Sequence, residues 1–154
     1  LNRRCQMQAS EFAAIHAAVR AYYGSGARGS LNRIGRSVWQ EAFAQTSRGK
    51  IARFLITRLL APTMRARVAL ELLARLIKKP DGDVSAHFLA PDLIFVDRTS
   101  NSTFGQTAQK PICWYTVGMI QSALYWATGE EQAVREVACR AVDAEACKFR
   151  ISLQ

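Results

Sequence analysis

The spacing of apolar residues changes once along this chain, and that change limits the folds open to it. Up to residue 79, bulky apolar residues recur at the three- and four-residue intervals of amphipathic helices. After the turn signal at residues 80–83, Pro-Asp-Gly-Asp, the apolar runs become short and extended, which is typical of strands. A helical half followed by a mainly stranded half predicts the α+β class, with helices packed on a twisted antiparallel sheet.

The same pattern predicts nine elements in a single domain over residues 1–154. Helices are expected at 10–23, 31–45, 51–59, 63–79 and 113–128, and strands at 84–89, 93–99, 133–142 and 146–153. Residues 1–80 are thus helical, and residues 81–154 form a hairpin, a helix and a hairpin. Segment 24–29 contains three glycines and is expected to be a flexible connection, because a phosphate-binding loop of this kind would follow a strand instead of a helix.

Charge is distributed unevenly, with a formal net value of +9. Residues 1–80 hold 15 Lys and Arg against three acids, whereas residues 81–154 hold six against nine. An anionic partner would explain this asymmetry, and so would a solvated basic helical face. The cations stand singly and form no basic block, which makes nucleic acid an unfavoured partner.

Cysteine usage and hydropathy bear on the compartment. No apolar stretch reaches the ~20 residues that a membrane-spanning helix needs. Four cysteines without a secretory signal favour reduced thiols or metal ligation, so we expect a reducing, cytoplasmic location. The sequence begins at Leu1 without an initiator Met, which suggests a piece cut from a longer protein.

Three cysteines near the C-terminus fall on three different predicted elements. Cys113 opens a helix, while Cys139 and Cys147 lie on the two strands of a hairpin that would turn near Ala144 and make them near cross-strand neighbours. Three thiolates and the carboxylate of Glu136 suit tetrahedral Zn²⁺. Sharing a metal requires a bulge or twist, since Glu136 lies three residues from Cys139 and faces the other side of an ideal strand. On spacing alone, three buried apolar cysteines remain the alternative.

The segment C-W-Y-x-V-G-M…G-E-E-Q-A-V-R-E-V-A-C-R-A…E-A-C-K-F-R-I, from Cys113 to Ile151, resembles the C-terminal signature of the V4R family, named for 4-vinyl reductase. The resemblance extends to the sensory domains of phenol- and xylene-responsive transcription activators. It implies a TRAPP-like fold, often a homodimer, and a zinc ion on Cys113, Glu136, Cys139 and Cys147. Four protein ligands close the coordination sphere, so the zinc is expected to be structural.

V4R resemblance also implies a small hydrophobic or aromatic ligand. Large aromatics and one histidine in an apolar run are the candidate ligand-binding residues, although each could equally belong to the core: Trp39, His87, Phe88, Phe95, Tyr115 and Trp126. Val134 stands where phenol-sensing members carry an aromatic residue. We therefore slightly favour binding or delivery of a tetrapyrrole, as in the vinyl-reductase-associated proteins of bacteriochlorophyll synthesis.

Two other functions compete with that interpretation. One is an aromatic-effector sensory module of a larger regulatory protein. The other is a TRAPP-like interaction module, in which the basic amphipathic helices at 50–79 meet a membrane surface or a partner protein. The sequence has no dinucleotide fingerprint, flavin motif or convincing catalytic dyad, so binding is favoured over catalysis despite the name of the family.

Overall fold

The computed structural model describes residues 7–78, 83–89 and 91–153. The element order agrees with the predicted α+β succession. The helices are α1 (Ala9–Tyr23), α2 (Ala27–Trp39), α3 (Ser47–Leu59), α4 (Pro62–Ile77) and α5 (Trp114–Thr128). The strands are β1 (Val84–Leu89), β2 (Asp92–Asp97), β3 (Ala133–Ala138) and β4 (Cys147–Ser152). None of the helices in these ranges is both long and apolar enough to cross a bilayer.

Several predicted boundaries need correction. A single 3₁₀ turn, Gly24–Gly26, joins α1 to α2, so the second half of the predicted flexible connection is helical. Helix α2 ends in a π-turn at Gln40–Ala44. The predicted strand at 133–142 is too long, because β3 stops at Ala138 and a 3₁₀ turn, Arg140–Val142, follows. The predicted turn at 80–83 lies outside the described residues except for Asp83.

The four strands form one antiparallel sheet in the order β1-β2-β4-β3. Strand β4 lies between β2 and β3 and pairs with both, with Phe95 opposite Phe149 and Leu93 opposite Ile151. These four side chains are buried on one face, whereas the alternate residues of β4 are exposed. The alternation in β4 places one apolar face of the sheet against the helices and leaves the other face to solvent.

Helices α2 and α5 cross at two glycines. A Cβ added to Gly35 would lie 2.0 Å from the Tyr115 carbonyl oxygen, and one added to Gly118 would lie 2.0 Å from that of Asn32. Both distances are far below van der Waals contact, so only glycine allows this approach of the two backbones. The crossing holds α5 firmly against α2, and α5 carries residues of every site described below.

Candidate metal centre and adjoining cavity

The four predicted metal ligands come together in the fold. Cys113 caps the N-terminus of α5, Glu136 lies in β3, Cys139 follows β3 and Cys147 begins β4. Their potential ligand atoms all lie within 4.8 Å of one another. We call these four residues the Cys–Glu cluster.

Local irregularity in β3 makes the cluster possible. The register of the β3–β4 pair shifts between Glu136 and Ala138. This shift is the bulge or twist that Glu136 needs in order to share a metal with Cys139. Cys139 lies beyond the last pair of β3, and the strand partner of Cys147 on β2 is Asp97. The last β3–β4 pair is Ala138 with Lys148, and the same register places Cys139, whose backbone is still extended, opposite Cys147. The prediction that Cys139 and Cys147 are near cross-strand neighbours is therefore confirmed.

The geometry of the cluster suits a tetrahedral metal ion. The Cys113 sulfur lies 3.4 Å from that of Cys147 and 3.9 Å from that of Cys139, and all three thiols are free. Four ligands at ~2.3 Å from a tetrahedral centre are about 3.8 Å apart, close to these separations and far beyond a disulfide bond of ~2.05 Å. The Glu136 Oε2 accepts the Cys113 backbone N–H at 3.0 Å, and its buried Oε1 has no partner among the described residues. One carboxylate oxygen is thus left to serve as the fourth ligand.

The shifted pKa values within the Cys–Glu cluster also favour a bound cation. Cys139 accepts hydrogen bonds from the thiol of Cys113, which has the largest effect, and from that of Cys147. These bonds hold the pKa of Cys139 far below its usual value. Hydrogen bonding to Cys139 and Cys147, together with burial, raises the pKa of Cys113 far above its usual value. Burial, and then the charge of Cys139, raises the pKa of Glu136 to about 8. A bound cation would remove this conflict by stabilising all four groups in their anionic forms.

A cavity of about 210 Å³ adjoins the cluster, and we call it the inner cavity. It lies between α1, the segment after β2 and α5. Its lining combines apolar, hydroxyl and amide side chains with the carboxylate of Asp97: Phe12, Ile77, Asp97, Thr99, Ser100, Asn101, Ser102, Tyr115, Thr116 and Met119. Ser100 links it to the cluster, because its hydroxyl lies 3.9 Å from the Cys113 sulfur.

The sequence did not predict most of the residues that line the inner cavity. The polar run at 99–110 has the composition that is typical of a surface loop, yet Ser100, Ser102 and Thr103 are buried. The 3₁₀ turn Asn101–Thr103 packs against α1 and folds these hydroxyls inward. Density of Ser and Thr alone cannot distinguish an exposed loop from a polar cavity wall, so the sequence offered no local signal.

The six candidate ligand residues are scattered through the fold. Tyr115 lines the inner cavity, whereas Trp39 and Trp126 pack edge to face at 5.7 Å in the core and Phe95 packs on Phe149. His87 and Phe88 are exposed on β1, where the His87 ring nitrogen lies 2.9 Å from the Ser85 hydroxyl. Only Tyr115 of the six therefore contributes to this cavity among the described residues.

Comparison with known proteins agrees with the resemblance noted in the sequence. Residues 99–153 match the model of the V4R domain family, which confirms that resemblance for the segment holding the Cys–Glu cluster. No curated protein sequence matches the chain significantly.

Solved structures share the fold. The phenol-responsive sensory domain of the transcription activator PoxR, solved with phenol, is similar at a TM-score of 0.65 and 16% identity, covering 95% of this chain and 76% of that chain. An H-NOX protein from S. oneidensis in the Fe(II)NO state is similar at 0.55 and 13%, covering 97% and 77%. The SO2144 H-NOX domain from Shewanella oneidensis, in its Fe(II)CO state, is similar at 0.54 and 10%, covering 96% and 77%. At these identities the similarity establishes the α+β fold alone.

Proposed function

We propose that this chain is a small-molecule sensory module that binds a single-ring aromatic effector in the inner cavity. The observation that carries the proposal is the size of that cavity, about 210 Å³, beside a V4R-type Cys–Glu cluster. A cavity of ~150 Å³ is known to hold benzene, whereas drug-sized ligands occupy ~300–1,000 Å³. One aromatic ring matches this space, and a four-ring tetrapyrrole does not. The size of the inner cavity therefore favours an aromatic-effector sensory module over the tetrapyrrole binding that the sequence slightly favours.

The lining supports a ring that carries a hydroxyl group. Phe12 and Met119 offer an apolar surface, and Thr116 and Ser102 offer polar handles beside it. The similar PoxR domain is phenol-responsive, which makes phenol the natural first probe. Val134 does not line this cavity, so the absence of an aromatic residue at that position removes nothing from its wall.

The Cys–Glu cluster would hold a structural Zn²⁺ in this module. When bound, the zinc supplies cross-linking between the N-terminus of α5, β3 and β4, and four protein ligands leave no position for a reactive water. The Cys113 backbone N–H bond to Glu136 and the 3.4 Å contact from the Arg140 N–H to the Cys147 sulfur hold two of the ligands in place. The proposed role is therefore binding and not catalysis.

Isothermal titration with phenol, supported by thermal shift, tests the effector site. Met119→Trp should fill the cavity and abolish binding, and Thr116→Val should weaken binding by removing a hydroxyl without changing volume. Met64→Trp is the matched control, because Met64 is exposed and lies outside the lining. Binding that survives in Met119→Trp, or no binding of any single-ring phenol by the zinc-loaded wild type, would refute the proposal.

A further inference from the structure

A second concavity, which we call the basic groove, lies on the other face of α5. The inner cavity uses Tyr115, Thr116 and Met119, whereas the groove uses Trp114, Val117 and Gln121, which lie on the opposite side of the helix by its 3.6-residue period. The groove measures about 790 Å³, nearly four times the inner cavity. The start of α2 and the open edge of β3 form its other walls.

The floor of the groove is apolar and its rim is cationic. Half-buried apolar side chains form the floor: Pro111, Trp114, Val117 and Val134. Arg28, Lys110 and Arg135 stand on the rim, and none of them forms an ion pair within the described part of the chain. The only carboxylate in the lining is that of Glu136, which is directed to the Cys–Glu cluster.

One rim cation occupies an electrostatically unfavourable position. Arg135 lies directly opposite Arg150 across the β3–β4 pair, and like charges in such a pair repel each other. The Arg150 Nε lies 3.9 Å from a carboxylate oxygen of Asp92, whereas Arg135 has no carboxylate within ion-pair distance among the described residues. This pair lies on the solvent face of the sheet, at the β3 edge that borders the groove, so it adds positive charge beside the groove. An anion in the groove would complement Arg28 and Lys110.

We propose that the basic groove binds an amphipathic organic acid, with its apolar body on Trp114 and Val117 and its anionic head on the rim cations. The volume lies within the ~300–1,000 Å³ of ligand pockets, so the occupant is larger than the single-ring effector of the inner cavity. The charge on the rim selects anions over neutral molecules of the same length. This site is separate from the proposed effector site and can be tested without it.

Trp114 supplies a direct readout. The other two tryptophans, Trp39 and Trp126, are buried, so a ligand entering the groove should change chiefly the emission of Trp114. Decanoate, decyl phosphate and neutral decanol are titrated below their micellar concentrations into the zinc-loaded protein. We expect a saturable change with both acids, at least about tenfold weaker binding of decanol, and weaker binding of the acids as salt is added. Preference for one acid over the other identifies the head group.

Matched variants separate a built site from general basicity. Arg28→Ser combined with Lys110→Ser should weaken decanoate binding about tenfold, because two exposed ion pairs contribute roughly that much. Arg48→Ser combined with Arg53→Ser removes the same charge from α3, outside the groove, and should leave affinity unchanged. Trp114→Phe should abolish the fluorescence change while titration calorimetry still detects binding.

Three results would overturn the inference. They are no saturable signal with either acid, equal affinity for decanol, and equal weakening in the two double variants. Met119→Trp, which fills the inner cavity, should leave decanoate binding intact. Failure of phenol binding and failure of decanoate binding are therefore independent outcomes.

Discussion

Acid should destabilise this protein through His16, a buried histidine on α1. His16 is only 4% exposed, its ring centroid lies 4.2 Å from that of Phe12 and 5.2 Å from that of Tyr115, and its Nδ1 has no partner among the described residues. Burial, and then the charge of Arg20, lowers the pKa of His16 from 6.5 to about 4. The folded state therefore keeps this ring neutral over a range in which the unfolded chain protonates it.

The size and sign of the effect follow from that difference in pKa. The full shift corresponds to about 3 kcal/mol, at ~1.4 kcal/mol per pKa unit. Because unfolding takes up a proton, the contribution of His16 is complete above pH ~6.5 and declines as the pH falls to the folded pKa near 4. At about pH 4.5 we expect the free energy of unfolding to have lost about 2.5 kcal/mol through this one group.

Urea unfolding of wild type and His16→Phe, at about pH 7.5 and about pH 4.5, measures the effect. Phe fits an aromatic environment, has no buried nitrogen and does not titrate, so the variant should lose about 2.5 kcal/mol less than wild type between the two pH values. Acid also protonates the Cys–Glu cluster, but that loss is common to both proteins and cancels in the comparison. Equal losses in the two proteins would show that His16 is not the acid-sensitive group assumed here.

Three further predictions concern the metal, the helix crossing and a helix cap. Metal analysis should find about one zinc per chain in wild type and none in Cys147→Ala, and a chelator should lower the melting temperature of wild type alone. Gly118→Ala should lower the free energy of unfolding by about 2 kcal/mol or more, because the added Cβ would meet a backbone carbonyl. In Gly29→Ala, the Cβ is added to open space on α2, so this variant should stabilise the protein by about 0.5–1 kcal/mol. Thr46→Ala should cost about 1 kcal/mol by removing the side-chain cap of α3, and Thr57→Ala, inside that helix, should cost less; equal costs would contradict the cap assignment.

Element types were predictable because local periodicity determines them here. The helices and both hairpins follow from apolar spacing. The end of α5 at Gly129 was predictable because glycine readily adopts a left-handed conformation, and Gly129 has a φ of 82° in the structure. The error at 24–29 arose where tertiary packing overrides glycine propensity. Ala27 and Leu31 are buried at 0% and 1% exposure, and their burial holds Gly29 in a helix that its own propensity disfavours.

Long-range features were less accessible from the sequence. The place of β4 between β2 and β3 depends on which strand edges meet, and no local pattern encodes that. Family resemblance predicted that the four residues of the Cys–Glu cluster lie together, while spacing alone left buried apolar cysteines as the alternative. Only Tyr115 of the aromatic candidates reached the inner cavity, since aromatic character marks core positions as strongly as ligand sites.

The two sites share one mechanical support. Ser100 of the inner cavity lies against the sulfur of Cys113, and Glu136 of the basic groove accepts the backbone N–H of the same cysteine. Cys113 caps α5, whose opposite faces line the two sites, and the crossing at Gly118 prevents that helix from approaching α2 any further. A displacement of the α5 N-terminus would therefore move residues that line both sites. Metal ligation of Cys113 would restrain that N-terminus, so both proposed sites are best tested in the zinc-loaded protein.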